Sequence, residues 1–290
     1  MIAVTGAAGY LGQSFKKFSV NKLESIFFSS SKNNNFEFLD FNNLKNFKNF
    51  FLNIDTVLHL AGPDHNFCEK NFEKARDFST SVLNNFIIFL KSCGVKKIIF
   101  VSTAKVYKDY STFTKNENSL IKESSELLPI HKYEYLKVLS EEILFKHQNN
   151  DFNIIIFRLT NSFGVLDQIN NYEILLHKIC LQIKNHQKLN FESNIDFYRD
   201  FIFIEDVIKA FDIAINNIDK SSILNLGSEK NIFISEILEE LSTLFKIDTY
   251  KFNRVGIEHP FTYSTSKLKK YEFSIQTNFF NELKNMIKLI

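Results

Sequence analysis

The chain has 290 residues, 44% of them hydrophobic and 23% charged, with a formal net charge of +2 at pH 7. That mix belongs to a globular protein with a sizeable core, in one large domain or two, and lysines scattered along a nearly neutral chain give no basis for a nucleic-acid or membrane-surface partner. Cys68, Cys93 and Cys180 are odd in number and widely spaced, which fits neither a disulfide framework nor a zinc site, so no metal is expected. No apolar run approaches the roughly 20 residues that span a bilayer. The opening "MIAVTG" reads as a buried strand entering a glycine turn rather than as a targeting segment, and a cytoplasmic location is expected.

In chain order, the first predicted element is a strand at Ile2 to Val4, followed by Gly6, Gly9 and Gly12 in "VTGAAGYLG" and an amphipathic segment from Leu11 to Phe18. Three of only 8 glycines thus fall between a strand and a helix. That context suits a dinucleotide-binding turn, in which small residues let the backbone approach a pyrophosphate at the helix N-terminus. An ordinary tight turn is the plain alternative, and the strands downstream decide between them. Apolar runs recur at "SIFFSS", "FEFL", "TVLHLAG", "KKIIFVS" and "NIIIFRL", with helical-period segments between most of them. Runs apolar on both faces and separated by helices predict a doubly wound parallel α/β sheet of the Rossmann kind. Gly94 is expected to close the helix before the fifth strand. After Gly164 the pattern loosens, and one more strand, "ILNLGS", is predicted. The 33 phenylalanines are expected to be mostly core.

The second strand ends in "SSSK", so Ser29, Ser30, Ser31 and Lys32 stand where a carboxylate would bind the ribose hydroxyl of NAD. Hydroxyls and one positive charge, with nothing to repel a phosphate, favour NADP, with NAD possible. Asp40 either reaches the adenine edge or caps the helix starting near Asn42.

Two tyrosine–lysine pairs stand four residues apart, Tyr133 and Lys137 in "HKYEYLK" and Tyr263 and Lys267 in "YSTSK". On a helix either pair shares a face. The surroundings separate them. "TGAAGYLG", "DTVLHLAG", "FVSTAKVY", "YEYLK" with Glu141 after it, "RLTNSFG", "RDFIFIEDV", "LNLGS" and "RVGIEHPFTYSTSKLKK" together resemble the extended short-chain dehydrogenase/reductase family, the nucleotide-sugar epimerases and reductases, over nearly the whole length. The resemblance implies a Rossmann domain over 1–162, completed by roughly 199–228, and a smaller C-terminal nucleotide-sugar region over 163–198 and 229–290. It implies Tyr133 and Lys137 as the catalytic pair with Thr103 beside them, Ser102 being the runner-up. The cofactor would lie along Gly6, Gly9, Tyr10, Leu11, Gly12, Leu60, Ala61 and Gly62 and against Tyr133 and Lys137. Lys105, Asn161, Arg199 and Arg254 would hold a nucleotide-diphosphate sugar, arginine being suited to phosphate by its planar fork. Tyr263 and Lys267 become structural or substrate-side residues.

A phenol with an ordinary pKa near ~10 is a poor acid or base at neutral pH, and a lysine one turn away helps to depress it. Departures from the family narrow the reaction. Sugar 4,6-dehydratases carry an acidic pair after the Thr, where Ala104 and Lys105 stand; GDP-fucose synthases place a cysteine where Ala104 stands. Leu136 and Ser264 also depart from common family residues. The resemblance therefore implies an NAD(P)-dependent oxidoreductase making a deoxysugar nucleotide by 4-keto reduction. A C4 epimerase with retained NAD is the alternative, and a silent NADP-binding sensor the third reading. A homodimer through helices at roughly 72 to 93 and 133 to 147 is implied as well, with Phe86, Phe89 and Leu90 serving that seam or the core.

Overall fold

The computed structural model describes residues 1–31, 35–108, 120–165, 174–185, 196–245 and 262–289. Its strands are β1 (Ile2–Thr5), β2 (Ser25–Ser29), β3 (Glu37–Phe38), β4 (Thr56–His59), β5 (Lys97–Thr103), β6 (Leu120–Ile121), β7 (Asn153–Leu159), β8 (Asn161–Phe163), β9 (Tyr198–Phe203), β10 (Ser222–Leu226), β11 (Asn231–Phe233) and β12 (Thr262–Tyr263). Its helices are α1 (Tyr10–Phe18), α2 (Lys48–Phe51), α3 (His65–Lys70), α4 (Phe72–Asp77), α5 (Leu83–Ser92), α6 (Lys132–Lys146), α7 (Leu175–Lys184), α8 (Ile204–Asn217), α9 (Ile234–Phe245), α10 (Ser266–Lys269) and α11 (Phe279–Leu289). One wider π turn, Phe78–Val82, joins α4 to α5.

Seven strands form the predicted parallel sheet, in the order β10-β7-β5-β4-β1-β2-β3. Alternation of side chains along each strand feeds two cores. Ile2, Val4, Leu58, Ile99, Val101, Ile155 and Phe157 point to one face, against Phe15 of α1 and Val207, Ile208 and Phe211 of α8. Ala3, Val57, Ile98, Phe100, Ile154 and Ile156 point to the other, against Leu83, Phe86, Ile87 and Leu90 of α5 and Leu144 of α6. Burial on both faces is why these strands read as continuous apolar runs. Phe86 and Leu90 are fully buried and Phe89 nearly so, which gives them to the core; the large apolar side chains exposed on these helices are Ile88 and Tyr135. Cys93 caps α5, and Gly94 follows with φ +84, as a left-handed helix stop requires.

The strand ladder outside the main sheet is richer than predicted. β8, β9 and β11 form a separate three-stranded sheet, and β6 pairs with β12. The small sheet carries a third core, in which Phe163, Phe201 and Ile232 meet Leu176 of α7, Leu238 of α9 and Leu283 of α11. Two- and three-residue strands hold too few positions to show a period, so the sequence carries no signal for them.

Candidate active site

Where β1 turns into α1, Gly6 has φ +70, and a Cβ there would lie 2.5 Å from the Ala61 nitrogen, so this turn and the end of β4 can touch only without a side chain. Gly12 is packed the same way: its Cβ would meet the Gly6 carbonyl oxygen at 2.5 Å. Gly12 therefore sets how closely α1 approaches the turn and does not itself face the cleft. Helix α1 has Gly9 as its N-cap, and among the described residues no side chain caps its N-terminus. A cleft of about 540 Å³ opens beside it, walled by Gly6, Gly9, Ser29, Ser30 and Ser31 on one side and by Leu60, Ala61 and Gly62 on another. An uncapped helix N-terminus facing a roomy, small-residue cleft fits the pyrophosphate of a dinucleotide.

Besides Gly12, three residues expected at the cofactor face elsewhere. Tyr10 and Leu11 pack on the first core, and the Tyr10 hydroxyl donates to the Gly164 carbonyl at 3.0 Å. Asp40 accepts from the Asn42 N–H at 2.9 Å and the Asn43 amide at 2.5 Å, so its carboxylate organises the turn after β3, while Leu39 and Phe41 on either side line the cleft. Lys32 and Arg254 lie outside the described residues. Phe41, Phe67, Phe78 and Lys74 also line the cleft; in a chain so rich in phenylalanine nothing in the sequence singled these out.

Tyr133 and Lys137 lie on the first turns of α6. Glu134 fixes that start, its Oε2 accepting from the N–H groups of Ile130 at 2.9 Å and His131 at 3.0 Å. The Lys137 ammonium donates to the Val101 carbonyl of β5 at 2.8 Å, with the Phe100 ring centroid 4.7 Å away and that of Tyr133 at 5.6 Å. Both line a tight recess of about 20 Å³ that shares Ala61, Gly62, Pro63 and Phe78 with the dinucleotide cleft and is closed by Cys68. Burial pulls the Lys137 pKa down to about 8, with Cys68 and Glu141 opposing. Burial, then the neighbouring Cys68, Asp64 and Glu134, push the Tyr133 phenol above its ordinary value. The resting pair is thus a neutral phenol beside a mostly protonated lysine. His59, behind them, is held neutral at about 3 by burial and by Lys137, with its Nδ1 2.8 Å from the Thr5 hydroxyl.

Thr103 ends β5 in a different cavity, of about 230 Å³, together with Lys105, Asn161, Arg199 and Tyr263. Glu134 and His131 line it too, so the start of α6 borders both spaces. Thr103 Oγ1 accepts the Lys105 N–H at 3.2 Å. Asn161 donates to the Asp200 carbonyl at 3.0 Å, and the Arg199 guanidinium lies 4.7 Å from the Phe197 ring and donates to the Tyr198 carbonyl at 2.9 Å. Asp200, which sequence reasoning passed over although it follows Arg199, is buried and accepts from Ser228, Glu229 and Thr160; desolvation raises its pKa to about 6 against those donors. Ser102 Oγ, the alternative to Thr103, is buried without a hydrogen-bond partner among the described residues.

A doubly wound sheet with a glycine turn at a helix N-terminus, and a tyrosine–lysine pair at its edge, defines a dinucleotide-binding oxidoreductase fold. The chain belongs to the NAD dependent epimerase/dehydratase family, whose model matches residues 2–227. It is 28% identical over 214 residues to the dTDP-4-dehydro-6-deoxyglucose reductase of Escherichia coli, covering 72% of this chain and 63% of that one. It is 24% identical over 308 residues to a trifunctional UDP-glucose 4,6-dehydratase/UDP-4-keto-6-deoxy-D-glucose 3,5-epimerase/UDP-4-keto-L-rhamnose-reductase of Arabidopsis thaliana, covering 96% of this chain and 45% of the plant protein. The chain thus spans about half the length of the first of its curated relatives. Among solved structures it superposes on the UDP-glucuronic acid 4-epimerase of Bacillus cereus, in complex with UDP-glucuronic acid and NAD, with a TM-score of 0.81 at 20% identity, over 99% of this chain and 98% of that one.

Proposed function

We propose that the protein is an NAD(P)-dependent oxidoreductase that reduces the 4-keto group of a nucleotide-activated sugar, with NADPH preferred. The observation that carries this reading is the Lys137 ammonium, fixed on the Val101 carbonyl 5.6 Å from the Tyr133 ring centroid, with both side chains lining the recess that shares Gly62 with the cleft. A nicotinamide dinucleotide, when bound, supplies the hydride. The glycine turn and the N-terminal N–H groups of α1 hold its pyrophosphate, and Ser29 to Ser31, with no carboxylate among the described lining residues, accept a ribose phosphate. Lys137 binds a ribose hydroxyl and favours negative charge on Tyr133. Tyr133, a protonated phenol in the resting protein, delivers its proton to the sugar oxygen, as reduction requires. Thr103, whose oxygen already accepts the Lys105 N–H, has its own hydrogen to donate to the same sugar oxygen. Arg199 and Asn161, with Arg254, hold the diphosphate.

The experiment is to supply NADPH and dTDP-4-keto-6-deoxyglucose and follow loss of the reduced nicotinamide absorbance together with the sugar product. Stoichiometric formation of a 4-hydroxy sugar, with NADPH bound more tightly than NADH, supports the proposal. Interconversion of UDP-glucose and UDP-galactose without net dinucleotide consumption would replace it by the C4 epimerase reading.

A further inference from the structure

Besides the glycine turn and the ends of β2 and β4, the short helices α3 and α4 each offer a side chain to the dinucleotide cleft, Phe67 and Lys74. Phe67 is a large ring left 41% exposed, and no ring contact engages it among the described residues. Its helix is nonetheless anchored: the Asp64 carboxylate accepts the Phe67 N–H at 2.7 Å, and the next residue, Cys68, is fully buried with Ala75 and Leu136. Lys74 lies one turn before Phe78, which lines the same cleft and packs its ring 5.4 Å from that of Phe41, so α4 turns this face to the cleft. Lys74 is exposed, and it is the one charged side chain among the described residues of that lining. No ion pair engages it among the described residues, its neighbour Glu73 being taken by Arg76 at 2.5 Å.

A nicotinamide dinucleotide brings more negative charge than the glycine turn answers. Its pyrophosphate carries about one charge per phosphate and a ribose phosphate adds about 1.5 to 2, whereas a helix N-terminus supplies roughly half a charge. Ser29, Ser30 and Ser31 offer hydroxyls and no charge. Lys74 offers a whole one, and a phosphate beside it gains a charge-assisted hydrogen bond. We propose that α3 and α4 form a second wall of the dinucleotide site, Lys74 pairing with a phosphate of the dinucleotide and the Phe67 ring lying against the bound molecule; this rests on the dinucleotide reading of the cleft. The pyrophosphate and a ribose phosphate present the same chemistry to an ammonium. Comparing the two cofactors tells them apart, because only NADPH carries the ribose phosphate.

The test is equilibrium titration of the intact protein with NADPH and with NADH, repeated in Lys74→Met and Lys74→Arg, at ionic strengths from about 0.01 to 1 M. Lys74→Met is expected to weaken binding by about 5- to 50-fold at low salt and Lys74→Arg to keep it, with the gap between Lys74→Met and the wild type closing as salt screens the contact. A loss confined to NADPH puts the ammonium on the ribose phosphate, and an equal loss for both cofactors puts it on the pyrophosphate; either supports the proposal. The chain contains no tryptophan, so Phe67→Trp introduces a single fluorescent reporter on this wall. Its quenching by acrylamide should fall when NADP binds. Affinity in Lys74→Met within about twofold of the wild type for both cofactors, or a loss that salt does not change, overturns the role of Lys74. Quenching in Phe67→Trp that NADP leaves unchanged overturns the role of Phe67. Failure of both dinucleotides to bind the wild type overturns the reading of the cleft and this inference together.

Discussion

At Lys137 a single proton decides what the candidate pair can do. Burial lowers its pKa from 10.5 to about 8, and only the protonated form carries the charge that favours a phenolate on Tyr133. The kcat/KM for the dinucleotide, which reports the free protein, is therefore expected to fall as pH rises through about 8; a profile flat to high pH would contradict this role. His59 and Asp200 tie stability to pH in opposite senses. His59 has its pKa lowered from 6.5 to about 3, so the unfolded chain takes up a proton that the folded one refuses, and its contribution is lost as pH falls below 6.5. Asp200 is raised from 3.8 to about 6, so its contribution is lost as pH rises through about 6 and regained below. Between about 4 and 6 the two oppose each other. In urea unfolding, His59→Asn should therefore gain on the wild type by about 1.4 kcal/mol for each pH unit from 6.5 down to 4, on top of a constant loss of the Thr5 contact. A pH-independent difference would show that His59 is not buried neutral.

Element by element, α6 must be held both along its length and at its start if Tyr133 and Lys137 are to keep their places. Arg158 on β7 clamps it: its guanidinium donates to both Glu141 oxygens, the shortest contact being 2.6 Å, and to the Glu123 carbonyl, and stacks 4.8 Å from the Tyr107 ring. Both partners of the pair are almost fully buried. Arg158→Met leaves Glu141 charged in the interior and should cost about 3–5 kcal/mol in unfolding free energy, whereas a loss below about 1 kcal/mol would mean the pair is solvated. The elements carrying this scaffold were legible where β1, β4, β5 and β7 are apolar on both faces and α1 carries one apolar stripe. Glu134 was legible in principle, as a carboxylate three residues after a helix start, but its placement in the cavity beside Thr103 was not. Tyr10 illustrates the limit from the other side. Its position after Gly9 pointed to the cofactor, while its hydroxyl goes to Gly164, a partner 154 residues away that no local pattern announces.

On the scale of the whole molecule, the glycine turn and the third core are joined at that same carbonyl. His177 of α7 also places Nε2 2.8 Å from the Gly164 oxygen, with its ring edge-on to Tyr10 at 6.0 Å. The fold class could be read from strand and helix order. The polar cavity could not, because Thr103, Lys105, Asn161, Arg199 and Tyr263 come from four strands and a turn that only the tertiary fold assembles. We also propose that two copies pair through α4–α5 and α6, where Ile88 and Tyr135 are 52% and 46% exposed. Light scattering at micromolar concentration should then show a dimer that Ile88→Lys dissociates, and a monomeric wild type would rule the pairing out.

The central claim is that Tyr133, and not Tyr263, delivers the proton. The measurement is single-turnover hydride transfer from NADPH to a 4-keto nucleotide sugar, alongside dinucleotide titration, in Tyr133→Phe, Lys137→Met and Tyr263→Phe. Removing the reacting hydroxyl should slow Tyr133→Phe by about 100- to 10,000-fold with dinucleotide affinity nearly intact, Lys137→Met should lose both, and Tyr263→Phe should keep the chemical step. Full activity in Tyr133→Phe with none in Tyr263→Phe would contradict the assignment.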